Sequence, residues 1–421
     1  MSVPEIISMG CRLNIAESET VRQSLKNSDI DASNLIIVNS CAVTNEAVRQ
    51  TRQAVRKAKK NNPDKKIVVT GCAAQIDPDM FDQMPEADAV VGNFDKYDPA
   101  NFKFGIETNR SDIRVSDIME IKETAPHMVS AFTERSRAFV EIQNGCDHRC
   151  TFCIIPFGRG NSRSVPAGQI VDQVKALVDK GFSEVVLTGV DVTSYGPDLP
   201  GKPALGMLLE RIISKVPDLP RLRLSSLDGI EIDDRMFDLL TSEQRLMPHI
   251  HLSLQSGDDM ILKRMRRRHS RDQAIELVSR LKTARPEIAI GADIIAGFPT
   301  ETDEMFQQSI DIIEQCDVVH GHIFPYSPRK GTPAAKMPQI DGMIIKHRAK
   351  LLRQKVGAHK QSWLSHLVGS EQSVLAEASG HSGYAENFAK VEFDNPVEEG
   401  QIVRTKIIAA ENDKLHAKVL A

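Results

Sequence analysis

Three cysteines at CxxxCxxC spacing are the residues of this sequence best suited to carry chemistry. They are Cys146, Cys150 and Cys153, in CDHRCTFCIIP. Three thiolates can hold three irons of a cubane cluster and leave the fourth iron open to a chelating cofactor. Structural zinc normally takes four ligands in paired spacing, so zinc fits less well, although His148 could supply a fourth ligand. The spacing therefore favours an iron–sulfur cluster.

A second set of three cysteines lies in SMGCRLN, VNSCAVT and VTGCAAQ, at Cys11, Cys41 and Cys72. Each follows a short apolar run that predicts a buried strand. If these strands are parallel, their carboxyl ends meet at one edge of a sheet and the cysteines converge there. For any one of them a buried structural thiol is the alternative. For the remaining cysteine, Cys316, we predict a buried structural thiol.

The first hundred residues predict the element order that would position this second set. Four short apolar runs alternate with helical stretches: Ile6–Ser8, Leu35–Asn39, Lys66–Gly71 and Ala89–Gly92. This alternation is typical of an open parallel α/β domain, which we assign to residues 1–105. Residues 106–133 are polar and weakly patterned, which predicts a linker.

Six further strand candidates follow over residues 134–365. They are AFVEIQ, EVVLTG, RLRLS, HIHLSL, IAIGADII and VVHGHIF. Amphipathic stretches fill most of the gaps, which predicts a partial parallel (β/α)6 barrel with its chemistry at the C-terminal ends of the strands. The residues at or just past those ends are Gly189, Asp191, Ser225, Ser226, Gln255, Ser256 and Asp293.

The last module, residues 366–421, contains short β-prone runs joined by Gly and Asn-Pro turns. These runs predict a small antiparallel β-barrel. A basic helical stretch, Met343 to Gly369, separates it from the central barrel. The whole chain is thus predicted to be an α/β protein of 421 residues with three domains, and its length agrees with that count.

The formal net charge is −4, so a nucleic-acid partner would have to be met by local basic patches. Three such patches are present: Arg49, Arg52, Arg56, Lys57, Lys59, Lys60, Lys65 and Lys66; Arg264, Arg266, Arg267, Arg268 and His269; and Lys346 to Lys360. Any one of them is more typical of a solvated helix face than of an RNA contact.

The N-terminus, MSVPEIISMG, lacks the pattern of a signal peptide, and no run approaches the ~18 apolar residues of a membrane span. We therefore expect a cytoplasmic protein without membrane contact. In that reducing compartment, seven cysteines indicate metal or catalysis better than disulfides.

The CxxxCxxC loop, with Phe152 before its last cysteine and a predicted barrel strand before it, resembles the radical S-adenosylmethionine superfamily. The segments MGCRLNIAESE, VNSCAVTNEAVRQTRQAVRKA and TGCAAQ, followed by CDHRCTFCIIPFGRG, resemble its methylthiotransferase family. The match continues through RLRLSSLDG, HLSLQSGDDMILKRMRRRHS, DIIAGFPTET and FPYSPRKGTPA. GCRLNIAESE and GYAENFAKV resemble the branch that methylthiolates N6-threonylcarbamoyladenosine. One departure is LSSLDG at Ser225–Gly229, where the family has an LSSLEP-like segment.

The resemblance implies an N-terminal cluster domain, a central radical domain and a C-terminal TRAM module. It implies two [4Fe-4S] clusters: one at Cys146, Cys150 and Cys153 that cleaves S-adenosylmethionine to a radical, and one at Cys11, Cys41 and Cys72 that holds the sulfur to be inserted. It also implies residues that contact S-adenosylmethionine: Phe152, Gly189, Ser226, Gln255, Asp293 and Phe324. For Gly189 and the DIIAGFPTET segment, turn chemistry at a strand end is the alternative.

The implied reaction is methylthiolation of carbon 2 of N6-threonylcarbamoyladenosine at position 37 of transfer RNA, next to the anticodon, with two molecules of S-adenosylmethionine. The implied partners are the anticodon stem-loop and an electron donor such as flavodoxin or ferredoxin, and we expect a monomer. The candidate RNA contacts are Arg266, Arg267, Arg268, Tyr384 and Phe388. The alternative for Tyr384 and Phe388 is a β-turn with two core aromatics.

Three other functions remain open from the sequence. A methylthiotransferase that acts on isopentenyladenosine in transfer RNA would share both clusters. So would one that acts on an aspartate of a ribosomal protein. A non-catalytic iron–sulfur or zinc RNA-binding protein would use its cysteines only for the fold, and it would not cleave S-adenosylmethionine.

Overall fold

A computed structural model of the chain describes residues 3–103, 112–122, 124, 136–377 and 380–420. The chain divides into two compact units. Unit 1 comprises Met1–Ala131, Glu141–Val165 and Ser327–Ala335; unit 2 comprises Phe132–Val140, Pro166–Tyr326 and Lys336–Ala421. Residues 141–165, predicted to belong to the central domain, therefore pack with the N-terminal residues. Both cysteine triplets lie in unit 1.

Unit 1 is built on a five-stranded parallel sheet of order β1-β2-β3-β4-β5. Its strands are β1 (Glu5–Ser8), β2 (Leu35–Ser40), β3 (Lys66–Gly71), β4 (Ala89–Val91) and β5 (Ile113–Arg114). The four predicted strands are confirmed. The fifth, β5, falls within the predicted linker, whose residues 106–111, 123 and 125–133 lie outside the described part of the chain.

Helices connect these strands and cover the sheet: α1 (Arg12–Lys26), α2 (Asn45–Asn61), α3 (Cys72–Ile76) and α4 (Pro78–Asp82). The apolar runs of β2 and β3 are buried because helices pack over them, with Val55 of α2 in the same core as Ile36 and Ile67. Helix α2 begins where the Thr44 side chain accepts a hydrogen bond from the backbone of Ala47. That bond satisfies one of the helix's unpaired N–H groups.

Unit 1 also contains the end of β6 (Arg137–Asn144), a strand that starts in unit 2. There β6 pairs antiparallel with β7 (Arg163–Ser164), and α5 (Ile155–Arg159) lies between them in sequence. Helix α5 approaches α3 closely, since a Cβ added at Gly158 would lie 3.3 Å from Cβ of Cys72.

Unit 2 continues with alternating strands and helices. Its strands are β8 (Glu184–Gly189), β9 (Arg221–Leu224), β10 (Ser226–Leu227), β11 (His249–Gln255), β12 (Ala289–Ala296) and β13 (Val318–Pro325). Its helices are α6 (Ala167–Val178), α7 (Leu205–Lys215), α8 (Asp234–Ser242), α9 (Asp259–Met265), α10 (Arg271–Ala284) and α11 (Asp303–Gln315). The strands β8 and β9 are parallel, as are β10-β11-β12-β13. The six predicted barrel strands are thereby confirmed as β6, β8, β9, β11, β12 and β13.

Unit 2 ends with the long helix α12 (Gly342–His366) and a closed five-stranded barrel. The barrel strands are β14 (Glu371–Glu377), β15 (Ser382–Ala385), β16 (Lys390–Phe393), β17 (Ile402–Glu411) and β18 (Lys414–Val419). The prediction of a small barrel is confirmed, but it is not wholly antiparallel. A tight turn with positive φ at Asn412 and Asp413 sends β18 back along β17, so that β18 meets β16 in parallel.

No helix in the described ranges combines the length and the apolar character needed to cross a bilayer.

Candidate metal centre

The residues Cys11, Cys41 and Cys72 lie at one edge of the unit 1 sheet. Cys11 caps the N-terminus of α1, three residues after β1 ends; Cys41 directly follows β2; and Cys72 begins α3 directly after β3. Because β1, β2 and β3 are adjacent and parallel, their carboxyl ends meet there. The predicted convergence of the three cysteines is what the structure shows.

Two glycines make this convergence sterically possible. Gly10 has φ +85° and Gly71 has φ +91°, a region that other residues rarely adopt. A Cβ added at Gly10 would lie 2.7 Å from both Cβ and Sγ of Cys41, and one added at Gly71 would lie 2.5 Å from the carbonyl oxygen of Ser40. The Gly-Cys pairs of SMGC and VTGC are therefore a packing requirement of this edge.

A buried ionic network lies beside these cysteines. The Glu17 carboxylate meets the Arg159 guanidinium at 2.7 Å and the Lys96 ammonium at 2.8 Å, and all three side chains are at most 2% exposed. Burial opposes the ionisation of Glu17, but Arg159 and then Lys96 outweigh it and hold the pKa of Glu17 well below its ordinary value. Tyr97 donates a further hydrogen bond to this carboxylate, at 3.2 Å.

The network reaches two of the cysteines. Nε of Arg159 donates to Sγ of Cys72 at 3.1 Å, and Nδ2 of Asn93 lies 3.6 Å from the same sulfur. Sγ of Cys11 lies 3.7 Å from Oδ1 of Asn14, the oxygen that accepts from Nη2 of Arg159. The surroundings of this triplet are thus polar and cationic although most of it is buried.

The thiol of Cys41 is held in its protonated form. Burial, followed by the neighbouring Cys72 and Cys11, raises the pKa of Cys41 to about 11. A metal that binds there must displace the proton, so its binding would release protons. The Arg329 guanidinium lies within electrostatic reach of Cys41 and donates through Nη1 to Asn45. Among the described residues its Nε atom has no hydrogen-bond partner.

The CxxxCxxC loop begins two residues after β6. Its first turn is fixed by a hydrogen bond from the backbone N–H of Cys146 to the carbonyl oxygen of Gly160, and its end by one from Cys153 to Cys150, each 3.1 Å. Gly145 has φ +72°, and a Cβ there would lie 1.9 Å from the carbonyl oxygen of Asn161. The three cysteines and Phe152 are partly exposed. A ligand can therefore reach the loop.

The distances between the cysteine sulfur atoms can be compared with those that a zinc ion or an iron–sulfur cluster requires. Within the described ranges, no three cysteine sulfurs lie within 4.8 Å of one another. Four ligands of one tetrahedral zinc, with bonds of about 2.3 Å to sulfur, would bring sulfur atoms about 3.8 Å apart. A cubane, in which each thiolate binds a different iron, needs a wider spacing. Within the described ranges, neither triplet therefore has the compact spacing of a structural zinc site.

The strand ends of unit 2 carry the other predicted cofactor residues. Gly189 and Gln255 end β8 and β11, and Phe324 is the last residue but one of β13. Ser226 begins β10, and its Oγ lies 3.1 Å from Oγ of Ser253. Gln255 has φ +68°, a strained conformation for a residue other than glycine. These positions agree with the predicted location of chemistry, and their role remains a prediction.

The carboxylate of Asp293, on β12, is in contact with two histidines. Its Oδ1 lies 2.9 Å from Nε2 of His251 and 3.3 Å from Nδ1 of His322. The sequence did not single out either histidine, since the three residues lie on three separate strands.

The basic stretch predicted to contact RNA divides into two kinds of residue. Nη2 of Arg267 lies 2.9 Å from Asp228, one of the two residues where LSSLDG departs from the family pattern, and the Arg267 side chain is only 8% exposed. Arg268 also pairs with Asp228, at 3.2 Å, but 44% of its side chain is exposed. Arg266 is exposed and ends α9 with φ +59°. Arg266 and Arg268 are the two that remain accessible to a partner.

Tyr384 and Phe388 stack on each other with ring centroids 4.8 Å apart. The guanidinium of Arg137 lies over the Tyr384 ring at 4.8 Å, and that of Arg223 lies over the Phe388 ring at 4.9 Å. His249 also packs against Phe388. These contacts favour the alternative of core aromatics, and a base that stacked here would compete with them.

Cys316 is fully buried where α11 ends, and burial raises the pKa of its thiol to about 12. The predicted buried thiol is confirmed. The sequence analysis did not identify the residues that surround Cys11, Cys41 and Cys72, although these residues stand within the quoted motifs MGCRLNIAESE and CDHRCTFCIIPFGRG. Those residues are Asn14, Glu17 and Arg159.

Comparisons with known proteins agree with this geometry. A family model described as the Radical SAM superfamily matches residues 140–313, and one described as Uncharacterized protein family UPF0004 matches residues 4–92. A threonylcarbamoyladenosine tRNA methylthiotransferase of Rickettsia prowazekii (strain Madrid E) is 51% identical over 97% of this chain and 95% of its own. Its counterpart in Bacillus subtilis (strain 168) is 33% identical, with coverage of 96% and 93%.

Two further comparisons bear on branch and fold. A tRNA-2-methylthio-N(6)-dimethylallyladenosine synthase of Staphylococcus epidermidis (strain ATCC 12228) is 33% identical over 98% of this chain and 84% of its own. The solved structure of the radical S-adenosylmethionine methyltransferase TsrM from Kitasatospora setae, with cobalamin and a [4Fe-4S] cluster bound, superposes with a TM-score of 0.53 at 17% identity. It covers 76% of this chain and 68% of its own, and the likeness is one of fold.

The parallel α/β fold and the CxxxCxxC loop define a radical S-adenosylmethionine enzyme. Such enzymes bind an iron–sulfur cluster and S-adenosylmethionine. The chain belongs to the radical S-adenosylmethionine methylthiotransferase family, and the identities above extend over nearly its whole length.

Proposed function

We propose that the protein inserts a methylthio group at carbon 2 of N6-threonylcarbamoyladenosine, at position 37 of transfer RNA. The observation that carries this proposal is the second cysteine triplet, which converges at a sheet edge in the same unit as the CxxxCxxC loop. A radical enzyme that only cleaves S-adenosylmethionine needs one cluster, whereas sulfur insertion needs a sulfur source as well. The names of the relatives at 51% and 33% identity support transfer RNA as the substrate.

Two [4Fe-4S] clusters would be held, one by Cys146, Cys150 and Cys153 and the other by Cys11, Cys41 and Cys72. When bound, they supply the reductive cleavage of one S-adenosylmethionine and the sulfur that a second one methylates. The bond at carbon 2 is an unactivated aromatic C–H, which no side-chain acid or base can open, so a radical is required. The work of the protein is to position these groups.

The residues of unit 1 contribute to this in ways that follow from their contacts. Gly10 and Gly71 let the backbone bring the N-terminal triplet together. Three thiolates at each triplet would bind three irons of a cubane and would leave the fourth iron without a thiolate from that triplet. In unit 2, the strand-end residues are the proposed contacts to S-adenosylmethionine: Gly189, Ser226, Gln255, Asp293 and Phe324.

The RNA partner would be met by basic side chains that are exposed to solvent. Lys346, Lys350 and Arg353 are exposed along one side of α12, and Arg266 and Arg268 are exposed after α9. Positive side chains of this kind track phosphates and make binding dependent on salt. We further propose a cytoplasmic monomer that receives electrons from a flavodoxin or a ferredoxin.

The substrate is tested by offering the reconstituted, reduced protein three substrates. These are transfer RNA with N6-threonylcarbamoyladenosine, transfer RNA with isopentenyladenosine, and ribosomes. Mass analysis should find the mass of a methylthio group only on the first. Product only on the second or third would overturn the substrate assignment and leave the family reaction intact. Failure to form 5′-deoxyadenosine with any of them would favour a non-catalytic protein.

A further inference from the structure

The Arg159 side chain is shared between a carboxylate and a cysteine sulfur. Its Nη1 and Nη2 atoms meet the two oxygens of Glu17 at 2.7 and 3.1 Å, while Nε points to Sγ of Cys72 at 3.1 Å. A guanidinium is planar and presents its N–H groups in fixed directions. Because Glu17 binds the two Nη atoms, it fixes the plane of the guanidinium, and the Nε–H bond is directed towards Cys72.

The surroundings keep this donor cationic. Only 2% of the Arg159 side chain is exposed, so water does not compete for the bond. The Glu17 carboxylate is shared with Lys96, at 2.8 Å, and therefore does not neutralise Arg159 by itself. The amide of Asn144 donates to Glu141 at 2.9 Å and accepts from Arg159 at 3.0 Å, so it lies between the two charged groups. The Cys72 sulfur thus accepts a hydrogen bond from a positively charged group.

Asn93 is a second donor near Cys72, and its amide is held by a residue of α5. Nδ2 of Asn93 lies 3.6 Å from Sγ of Cys72 and donates to the carbonyl oxygen of Gly158 at 2.6 Å. Gly158 and Arg159 end α5, which starts two residues after Cys153. The segment that carries the CxxxCxxC cysteines therefore also orders the contacts to Cys72.

Hydrogen bonds to the thiolates that ligate an iron–sulfur cluster are among the factors that set its reduction potential. A donor withdraws electron density from the sulfur and favours the form with one more negative charge. We propose that Arg159 is a positioning residue that raises the reduction potential of the cluster at Cys11, Cys41 and Cys72. This inference rests on the proposed function, since it requires a cluster at that triplet.

The reduction potential of this cluster matters to the proposed reaction because C–S bond formation releases an electron. A carbon-2 radical contributes one electron and a methylthiolate, CH3S⁻, contributes two, so forming the C–S bond leaves one electron over. A cluster held by Cys11, Cys41 and Cys72 would supply an acceptor for that electron. The Arg159 bond to Cys72 makes acceptance more favourable, and it acts without touching substrate or S-adenosylmethionine.

The test isolates the N-terminal cluster in the full-length chain. The parent protein carries Cys146→Ala, Cys150→Ala and Cys153→Ala, so that only the cluster in question gives a signal. Its midpoint potential is measured by a redox titration followed by electron paramagnetic resonance. Arg159→Gln in this parent should make one-electron reduction at least tenfold less favourable, a downward shift of about 59 mV or more. Arg159→Lys should shift the potential in the same direction, because a point charge cannot hold Glu17 and Cys72 together.

Two controls separate this effect from a general loss of packing. Tyr97→Phe removes a hydrogen bond to Glu17 at 3.2 Å without touching Cys72, and it should leave the potential unchanged. Arg159→Gln leaves Glu17 paired with Lys96 at 2.8 Å, so the two buried charges that remain still balance. The iron content of Arg159→Gln is the second control, and it should equal that of the parent.

The outcomes distinguish this inference from the proposed function. A parent that binds about four irons at Cys11, Cys41 and Cys72 supports the second cluster, and one that binds none overturns the proposed function. If the parent is loaded and Arg159→Gln, or Arg159→Lys, keeps the parent's potential, then the Arg159 inference is wrong and the proposed function stands. An equal shift in Tyr97→Phe would also overturn it, because the cause would then be packing.

Discussion

Nε2 of His251 lies 2.9 Å from Oδ1 of Asp293, across the neighbouring parallel strands β11 and β12. Nδ1 of His322, on β13, lies 3.3 Å from the same oxygen. Gly291 provides the space, since a Cβ there would lie 2.3 Å from Nδ1 of His251. Three strands thus combine an imidazole, a carboxylate and a second imidazole. Any ligand that Asp293 binds meets a carboxylate already held by two partners.

Asp293→Asn should lower the free energy of unfolding by about 1–3 kcal/mol at neutral pH, because hydrogen bonds to a charged acceptor are lost. Burial opposes the ionisation of Asp293, but the bonds from His251 and His322 hold its pKa well below the ordinary value. The stabilisation is therefore complete above the unfolded pKa, about 3.9, and is lost as the pH falls towards the lower native pKa. Denaturant unfolding between pH 7 and pH 3 should show the gap between the two proteins shrinking. A gap independent of pH would contradict this.

Gly10→Ala should remove about half of the iron from the reconstituted protein. The new Cβ would lie 2.7 Å from Sγ of Cys41, so the N-terminal triplet cannot keep its arrangement, while the CxxxCxxC loop is untouched. Two cubanes predict about eight irons per chain, and the variant should retain about four. Gly181→Ala is the matched control, because Gly181 has a similar φ of +89° with nothing within 4 Å of the new Cβ. Its iron content should equal that of the wild type.

Cys150→Ala and Cys41→Ala should separate the two halves of the reaction. Cys150→Ala removes a ligand of the radical cluster and should abolish the formation of 5′-deoxyadenosine. Cys41→Ala should spare some of that cleavage and stop sulfur insertion, because the ligand it removes belongs to the other cluster. Both products are measured by mass spectrometry in one reaction mixture. Methylthiolated RNA formed by Cys41→Ala at the wild-type rate would rule out a role for the N-terminal triplet.

Phe388→Ala should lower the free energy of unfolding by up to about 3 kcal/mol, because the ring packs on Tyr384 and lies under Arg223. Phe157→Ala, whose ring is 52% exposed, should change it by no more than about 0.5 kcal/mol in the protein without iron. Thermal unfolding and transfer RNA affinity are measured together. A Phe388→Ala protein of normal stability and weakened RNA binding would instead show that the ring stacks on a base.

The long elements were predictable because their patterns are local. The apolar runs of β2, β3, β8 and β12 appear in the structure within one or two residues of their predicted bounds, since a buried parallel strand must be apolar along its length. The strands β5, β7 and β10 have only two residues each, which is too short for any periodicity to show. The sequence of β15, SGYA, does not predict a strand either, because its glycine is typical of a turn.

The candidate RNA contacts Arg267 and Arg268 could not be told apart from the local sequence. Arg267 and Arg268 are adjacent in one basic stretch, and the sequence gives no reason to separate them. Asp228, 39 residues before Arg267, forms a salt bridge with each of them, yet only Arg267 is buried beside it. Charge patterning identifies a basic stretch, and packing decides which of its members are free to meet a partner.

The sequence by itself determined the chemistry, because CxxxCxxC and the Gly-Cys pairs are short motifs whose ligand types and spacing limit the metal group they can hold. Only the tertiary structure decided what surrounds those ligands. Arg159 reaches Cys72 across 87 residues of chain and Glu17 across 142. A buried charge must be paired with whatever the fold places beside it, and no local pattern records that choice.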